Sequence, residues 1–270
     1  ASVDLEALDR RGSAYSFTQP EDGSDASAAE LALGLMLAAA RHIPQAHHAV
    51  QAGAFQRGVP LGRSLSGQTI GIIGLGRLGQ QMAGYCRALG MRVVAWSPNL
   101  TPERAAEAGV EHASKAELLA MSDVISLHMV LGPSTRNLIG KDDLARMRQG
   151  CILVNTSRGG LIDQAALVAA LREGMLWAAL DVFEEEPLRP DEPILTAPNT
   201  ILTPHLGYCV STKLESFYRQ AIGNILASDE VPAAMAAAIA ADPEPPLAER
   251  LLRGLEAGLA AGGEHGEVMS

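Results

Sequence analysis

The chain has 270 residues, a formal charge of −10 and a pI near 5.2. Its length allows one large core or two modest ones, and its acidic balance argues against a nucleic-acid or anionic-membrane partner. Three cysteines (Cys86, Cys151 and Cys209) include no Cys-x-x-Cys pair, and the start has no basic segment leading into an apolar stretch; together these point to a reduced, cytoplasmic setting.

In chain order, Asp4 to Arg10 reads as a helix and Ala14 to Phe17 as a short strand, half of an α/β unit with nothing before it to pair. Residues 26–44 read as an apolar helix, whose run from Leu31 to Ala40 is too short to span a bilayer. Thr69-Ile70-Gly71-Ile72-Ile73 is a β-branched, apolar run expected to form a buried strand, and Gln80 to Leu89 is expected to form a helix ending at Gly90. Between them lies Gly74-Leu75-Gly76-Arg77-Leu78-Gly79. A GxGxxG pattern alone is weak in a chain with 27 glycines. Set between strand and helix it matches dinucleotide binding: Gly74 for the turn, Gly76 for close approach of a pyrophosphate, and Gly79 for helix–strand packing. The phosphates would sit at the helix start, where the dipole favours anions.

Met91 to Trp96 supplies the next strand, and its end selects the cofactor. NAD enzymes usually carry an acid there, about 20 residues beyond the glycines, for the ribose 2′-hydroxyl. This chain has Ser97-Pro98-Asn99-Leu100-Thr101, with no carboxylate before Glu103. Ser97, Asn99, Thr101 and Arg104 could hold a 2′-phosphate, which favours NADP; equally, Ser97 could tolerate either NAD or NADP.

The alternation continues. Glu117 to Ala120 closes a short helix, Asp123 to His128 is a strand, Lys141 to Met147 a helix, Cys151 to Asn155 a strand, Gln164 to Arg172 a helix, and Trp177 to Val182 and Thr200 to Thr203 two more strands. This spacing predicts βαβ units in a doubly wound parallel sheet, covered on both faces, with ligands outside the carboxyl ends of the strands. Gly74 to Gly79, Ser97, His128, Thr156 to Arg158, Asp181 and His205 all fall at or just past those ends. Beyond Ala227 the chain turns Ala-, Pro- and Glu-rich, with one amphipathic helix expected near Leu247 to Leu259 and a disordered end.

Three further tracts accompany the glycine turn: Val154-Asn155-Thr156-Ser157-Arg158-Gly159-Gly160-Leu161-Ile162-Asp163, Ala179-Leu180-Asp181-Val182-Phe183-Glu184-Glu185-Glu186-Pro187-Leu188, and Thr203-Pro204-His205-Leu206-Gly207. With these the chain resembles the D-isomer-specific 2-hydroxyacid dehydrogenases over about residues 1 to 225. The resemblance implies a Rossmann-like NAD(P)-binding domain (26–210), a remnant (1–25) of a flavodoxin-like substrate domain, and a C-terminal helix and tail (211–270). It implies that Arg158 binds the substrate carboxylate, that Glu186, the acid next to Pro187, supports the imidazole, and that His205 is the general acid/base. Arg77, Leu78, Ser97, Thr156, Ser157, Asp181, His205 and Gly207 would line the cofactor, and residues 44–62 would form an arm that in relatives helps build a homodimer.

Reducing a 2-oxo acid requires a cation for the carboxylate and an acid titrating near neutral pH. Arginine, with a planar fork that keeps its charge, and histidine fit. The expected activity is hydroxypyruvate- or glyoxylate-type reduction of a 2-oxo acid to a D-2-hydroxy acid. The alternatives are a dinucleotide-sensing protein of corepressor type and a cofactor-binding fragment with little turnover. His128 is either a wall of the nicotinamide pocket or a satisfied loop residue. His42, His47, His48, His112 and His265 show no pairing that suggests a metal.

Overall fold

The computed structural model describes residues 25–226, together with Arg10 and Thr18. Ala26–Gly207 forms one unit, and Asp25 and residues 208–226 belong to a second.

The first unit is built on seven strands: β1 (Thr69–Ile73), β2 (Arg92–Trp96), β3 (Glu111–His112), β4 (Val124–Leu127), β5 (Cys151–Asn155), β6 (Leu176–Leu180) and β7 (Thr200–Leu202). Every pairing is parallel and the order is β3-β2-β1-β4-β5-β6-β7. β1 is therefore internal, with Ile70 opposite Val93 on one side and Val124 on the other. The chain runs outward from β1 to β3, then returns to build the other half. That return creates the switch point where ligands bind on open α/β sheets.

A parallel sheet buries both faces, and alternate side chains show it. Ile152 and Val154 of β5 join a cluster with α1 (Ser27–Arg41) and α3 (Arg77–Ala88), through Leu35, Met36 and Met82. Cys151 and Leu153 join the opposite cluster with α5 (Lys115–Met121), α6 (Lys141–Arg146) and α7 (Gln164–Arg172), through Leu118, Leu144 and Leu167. Caps set several helix starts. Ser114 and Glu117 form a capping box at α5, and Asp163 Oδ1 accepts from the Ala166 amide at α7.

The doubly wound sheet is as the sequence predicts, with strand ends differing by one or two residues. Four points differ. The helix after the glycine turn begins at Arg77, not Gln80, because Gly76 opens it without a side-chain cap, which leaves no cap signal to read. The helix expected over 26–44 breaks at His42, whose φ is +53, and resumes as α2 (Ile43–Gln51), with Pro44 in its first turn and no buried residue. α4 (Pro102–Glu107) and β3 had no counterpart among the predicted elements. β3 is two exposed residues, too short and polar for an alternation signal. The expected elements at Asp4 to Arg10 (Arg10 apart), Ala14 to Phe17 and Leu247 to Leu259 lie outside the described residues.

In the second unit, α8 (Ser211–Leu226) was not expected from the sequence. Lys213 pairs with Asp25, and Arg219 pairs with Glu215 one turn earlier.

Candidate active site

At the carboxyl end of β1, Gly74 adopts φ +100 and donates its amide to the Trp96 carbonyl at 2.8 Å. A Cβ there would lie 2.4 Å from the His128 carbonyl oxygen, and one on Gly79 would lie 2.0 Å from that of Gly74. Both positions need glycine for the turn to close against α3. Gly76 differs: a Cβ on it would meet nothing within 4 Å, and it caps α3 with no side chain. The turn is thus closed underneath and open above an uncapped helix start. That arrangement fits a pyrophosphate, held by the backbone of Gly76, Arg77 and Leu78.

Ser97 is half-buried just past β2, where a ribose selector belongs. Of its neighbours, Thr101 is engaged as the cap of α4, its Oγ1 accepting from the Arg104 amide at 3.4 Å. The Arg104 guanidinium folds back onto the Asn99 carbonyl at 3.2 Å. Arg104 also lines, with Leu75, Gln80, Leu100 and Glu107, a depression beside the glycine turn.

The His128 Nε2 lies 2.9 Å from the Ser126 hydroxyl, and burial lowers the pKa of its ring to about 4. Its backbone floors the turn under Gly74, and the lowered pKa favours the uncharged ring.

At the end of β5, Asn155 is fully buried and turns the chain. Its Oδ1 accepts from the Ser157 amide at 3.0 Å and its Nδ2 donates to the Arg158 carbonyl at 2.9 Å. The Ser157 hydroxyl donates to the Leu127 carbonyl at 2.8 Å, and that of Thr156 to the Ala28 carbonyl at 3.3 Å. Arg158 stands exposed, its guanidinium resting on the Ser157 carbonyl at 2.6 Å.

His205 has φ +57, a left-handed backbone that histidine adopts only when its surroundings hold it there. The holder is Asp181, fully buried at the end of β6. Its Oδ1 accepts from the Thr203 hydroxyl (2.6 Å) and the Leu206 amide (2.7 Å), its Oδ2 from the Gly207 amide (2.8 Å), and its carbonyl from the His205 amide (2.9 Å). His205 Nδ1 lies 2.7 Å from Glu186 Oε2, while Glu186 Oε1 accepts from the Phe183 amide at 2.8 Å. Of the three adjoining acids, Glu186 is the one on the imidazole. Glu184 turns instead toward Arg136, at 3.5 Å.

Sequence reasoning missed Asn155 and Thr203 as organisers of the site. Each was legible as a polar residue closing an otherwise apolar strand tract. Among the described residues, no three His, Cys, Asp or Glu side chains gather as a metal site would require, and no helix is long and apolar enough to cross a membrane.

The profile of the NAD binding domain of the D-isomer specific 2-hydroxyacid dehydrogenases matches residues 33–207. The chain belongs to this family. A D-3-phosphoglycerate dehydrogenase of Methanocaldococcus jannaschii is 46% identical over 208 residues, 76% of this chain and 39% of its own length. A glyoxylate reductase of Aeropyrum pernix is 42% identical over 212 residues, 76% of this chain and 63% of its own. The chain thus spans 39% of the length of one of these relatives and 63% of the other. Among solved structures, a phosphoglycerate oxidoreductase from Vibrio cholerae superposes with a TM-score of 0.78 at 38% identity, covering 83% of this chain and 72% of that one. A D-lactate dehydrogenase from Aquifex aeolicus, complexed with NAD and lactic acid, gives 0.71 at 30% identity, covering 83% and 71%. Residues 209–270 match a different profile, that of a family of unknown function (DUF1028).

Proposed function

We propose that this chain binds a nicotinamide dinucleotide at the glycine turn and carries the proton-transfer half of a 2-oxo acid reductase, yielding a D-2-hydroxy acid. The observation that carries the reading is the 2.7 Å contact between His205 Nδ1 and Glu186 Oε2. Glu186 fixes the ring and stabilises the proton on Nδ1, so that Nε2 is the nitrogen that hands a proton to the substrate carbonyl oxygen. Arg158 grips the substrate carboxylate with its fork and polarises the adjoining carbonyl. The bound dinucleotide supplies the two-electron reduction. Glyoxylate and hydroxypyruvate are the substrates we favour, in line with the glyoxylate reductase among the relatives.

For the cofactor we favour NADP over NAD, because no acid stands between the end of β2 and Glu103 to repel a 2′-phosphate. Ser97, at the end of β2, is the principal selector in this reading. We also propose a homodimer built on the arm after α1, which leaves Ile43, Val50, Phe55 and Leu61 exposed by 52%, 60%, 72% and 97%. A reducing, cytoplasmic setting agrees with three unpaired cysteines, of which Cys86 and Cys151 have thiols pushed up to about 12 by burial.

The test is calorimetric titration with NADPH and NADH, run beside oxidation of each by glyoxylate and hydroxypyruvate. Binding and turnover, with turnover lowered roughly 10² to 10⁴-fold by His205→Ala, is the expected result. Binding without turnover would instead favour a dinucleotide-sensing role or a cofactor-binding piece, and no binding would overturn the reading.

A further inference from the structure

At the amino ends of the strands, away from the glycine turn, the structure holds a cavity of about 520 Å³ between the last turn of α1 and the segment leading into β1. Its floor is apolar, from Leu37, Ala40, Leu65 and Leu89, and its polar lining comes from Arg41, Arg63, Ser64 and Ser66. Among the described residues no carboxylate lines it, although the chain as a whole carries −10.

Among the described residues neither guanidinium forms an ion pair with a carboxylate, and for Arg63 the reason is visible in the hydrogen bonds. The nearest acid to Arg63 is Asp123, and both of its oxygens are already engaged: Oδ1 by Arg148 at 2.7 Å and Oδ2 by the Thr69 amide at 2.9 Å. Arg63 reaches only the Asp123 backbone carbonyl, at 3.3 Å. Its partial burial lowers its pKa, the mark of a cation taken from water without full compensation. The Arg41 side chain and the hydroxyls of Ser64 and Ser66 make no hydrogen bond among the described residues. The backbone nonetheless brings the Arg41 and Arg63 positions to the same cavity wall. The Arg63 amide donates to the Ala40 carbonyl at 2.9 Å, and Gly62 passes so close that a Cβ would sit 3.0 Å from Arg41 Nε.

We infer that this cavity is a binding site for a small organic anion, with a phosphate or carboxylate head between Arg41 and Arg63 and a short aliphatic body on the leucine floor. Guanidiniums on the cavity wall suit the oxygens of either head group, and the two serine hydroxyls supply further donors. The volume lies within the range of small-molecule sites. The inference stands apart from the dehydrogenase reading, because it uses none of the residues at the carboxyl ends of the strands.

Amide NMR spectra of the 270-residue chain, titrated separately with n-butyl phosphate, butyrate and inorganic phosphate, provide the test. Saturable shifts of the Gly62, Ser64 and Ser66 amides are expected with butyl phosphate, butyrate or both, and the difference between them identifies the preferred head group. The better of the two should bind about tenfold more tightly than inorganic phosphate, because of its apolar body. Arg41→Gln, at an exposed position that leaves the fold intact, and Arg63→Gln should each raise its Kd about tenfold, while Arg172→Gln on α7 should not change it. No saturable shift at residues 62–66, shifts confined to Gly76 to Leu78, or a Kd unchanged in Arg41→Gln would overturn the proposal. Titration of the same samples with NADH, read at the glycine-turn amides, reports separately on dinucleotide binding.

Discussion

Gly159 and Phe183 meet backbone to backbone: a Cβ on Gly159 would lie 1.9 Å from the Phe183 carbonyl. The contact joins two strand ends, since Gly159 follows Arg158 after β5 and the Phe183 amide holds Glu186 after β6. Glu186 in turn holds His205 after β7. Arg158, Glu186 and His205 therefore belong to one continuous set of contacts, although they are 47 residues apart in sequence from first to last.

Gly159→Ala should consequently disturb carboxylate binding and proton transfer together. The overlap is with backbone, which cannot swing aside, so a loss at or beyond the usual overpacking cost of about 1–3 kcal/mol is expected. Urea denaturation gives the stability and steady-state kinetics the activity. An unchanged midpoint with normal kcat would show that the two loops are not in contact.

The proposed roles predict a kinetic split. His205→Ala should lower kcat by roughly 10² to 10⁴, the usual worth of a placed acid/base, with dinucleotide Kd nearly unchanged. Arg158→Ala should raise KM as well as lower kcat, because its charge serves ground state and transition state alike. Equal and small effects from both substitutions would refute the reductase reading.

For the cofactor, Ser97→Asp should turn preference toward NADH by placing a negative charge where a 2′-phosphate would sit. The readout is the ratio of Kd values for NADPH and NADH. A ratio unmoved by the substitution would remove Ser97 from the ribose.

His128 gives a pH dependence with a definite sign. Its folded pKa of about 4 lies below the ordinary histidine value of about 6.5, so between these values the unfolded chain binds a proton that the folded chain does not. Its contribution is fully present above about pH 6.5 and is lost as pH falls toward about 4. Melting temperatures at pH 7.5 and 5 should therefore drop more in the wild type than in His128→Gln. Equal drops would place the histidine in water.

The parallel sheet was legible because β1, β4 and β5 are made mostly of β-branched and leucine residues, buried on both faces as parallel strands are. β3 was not, because two exposed residues carry no periodic signal. His42 bends the first helix by a left-handed backbone that no glycine or asparagine announces. At the candidate site, the titratable residues stood out by type and tract. Their supports were hidden: Asn155 and Thr203 act through single hydrogen bonds to neighbours on other turns, and the Phe183 amide has no side-chain signature at all. Thr101, one of several candidate donors to a 2′-phosphate, also accepts the Arg104 amide as the cap of α4.

The strand order distributes the two tasks across opposite halves of one sheet. The glycine turn and Ser97 extend from β1 and β2, whereas Arg158, Asp181, Glu186 and His205 extend from or follow β5, β6 and β7, with β4 between the groups. The two groups sit at separate strand ends, and effects of well-separated sites usually add. On the proposed reading, selection could retune which dinucleotide is accepted while the loops around His205 stay untouched, and could equally remodel those loops for a new acid without losing the nucleotide: one scaffold, two dials that turn separately.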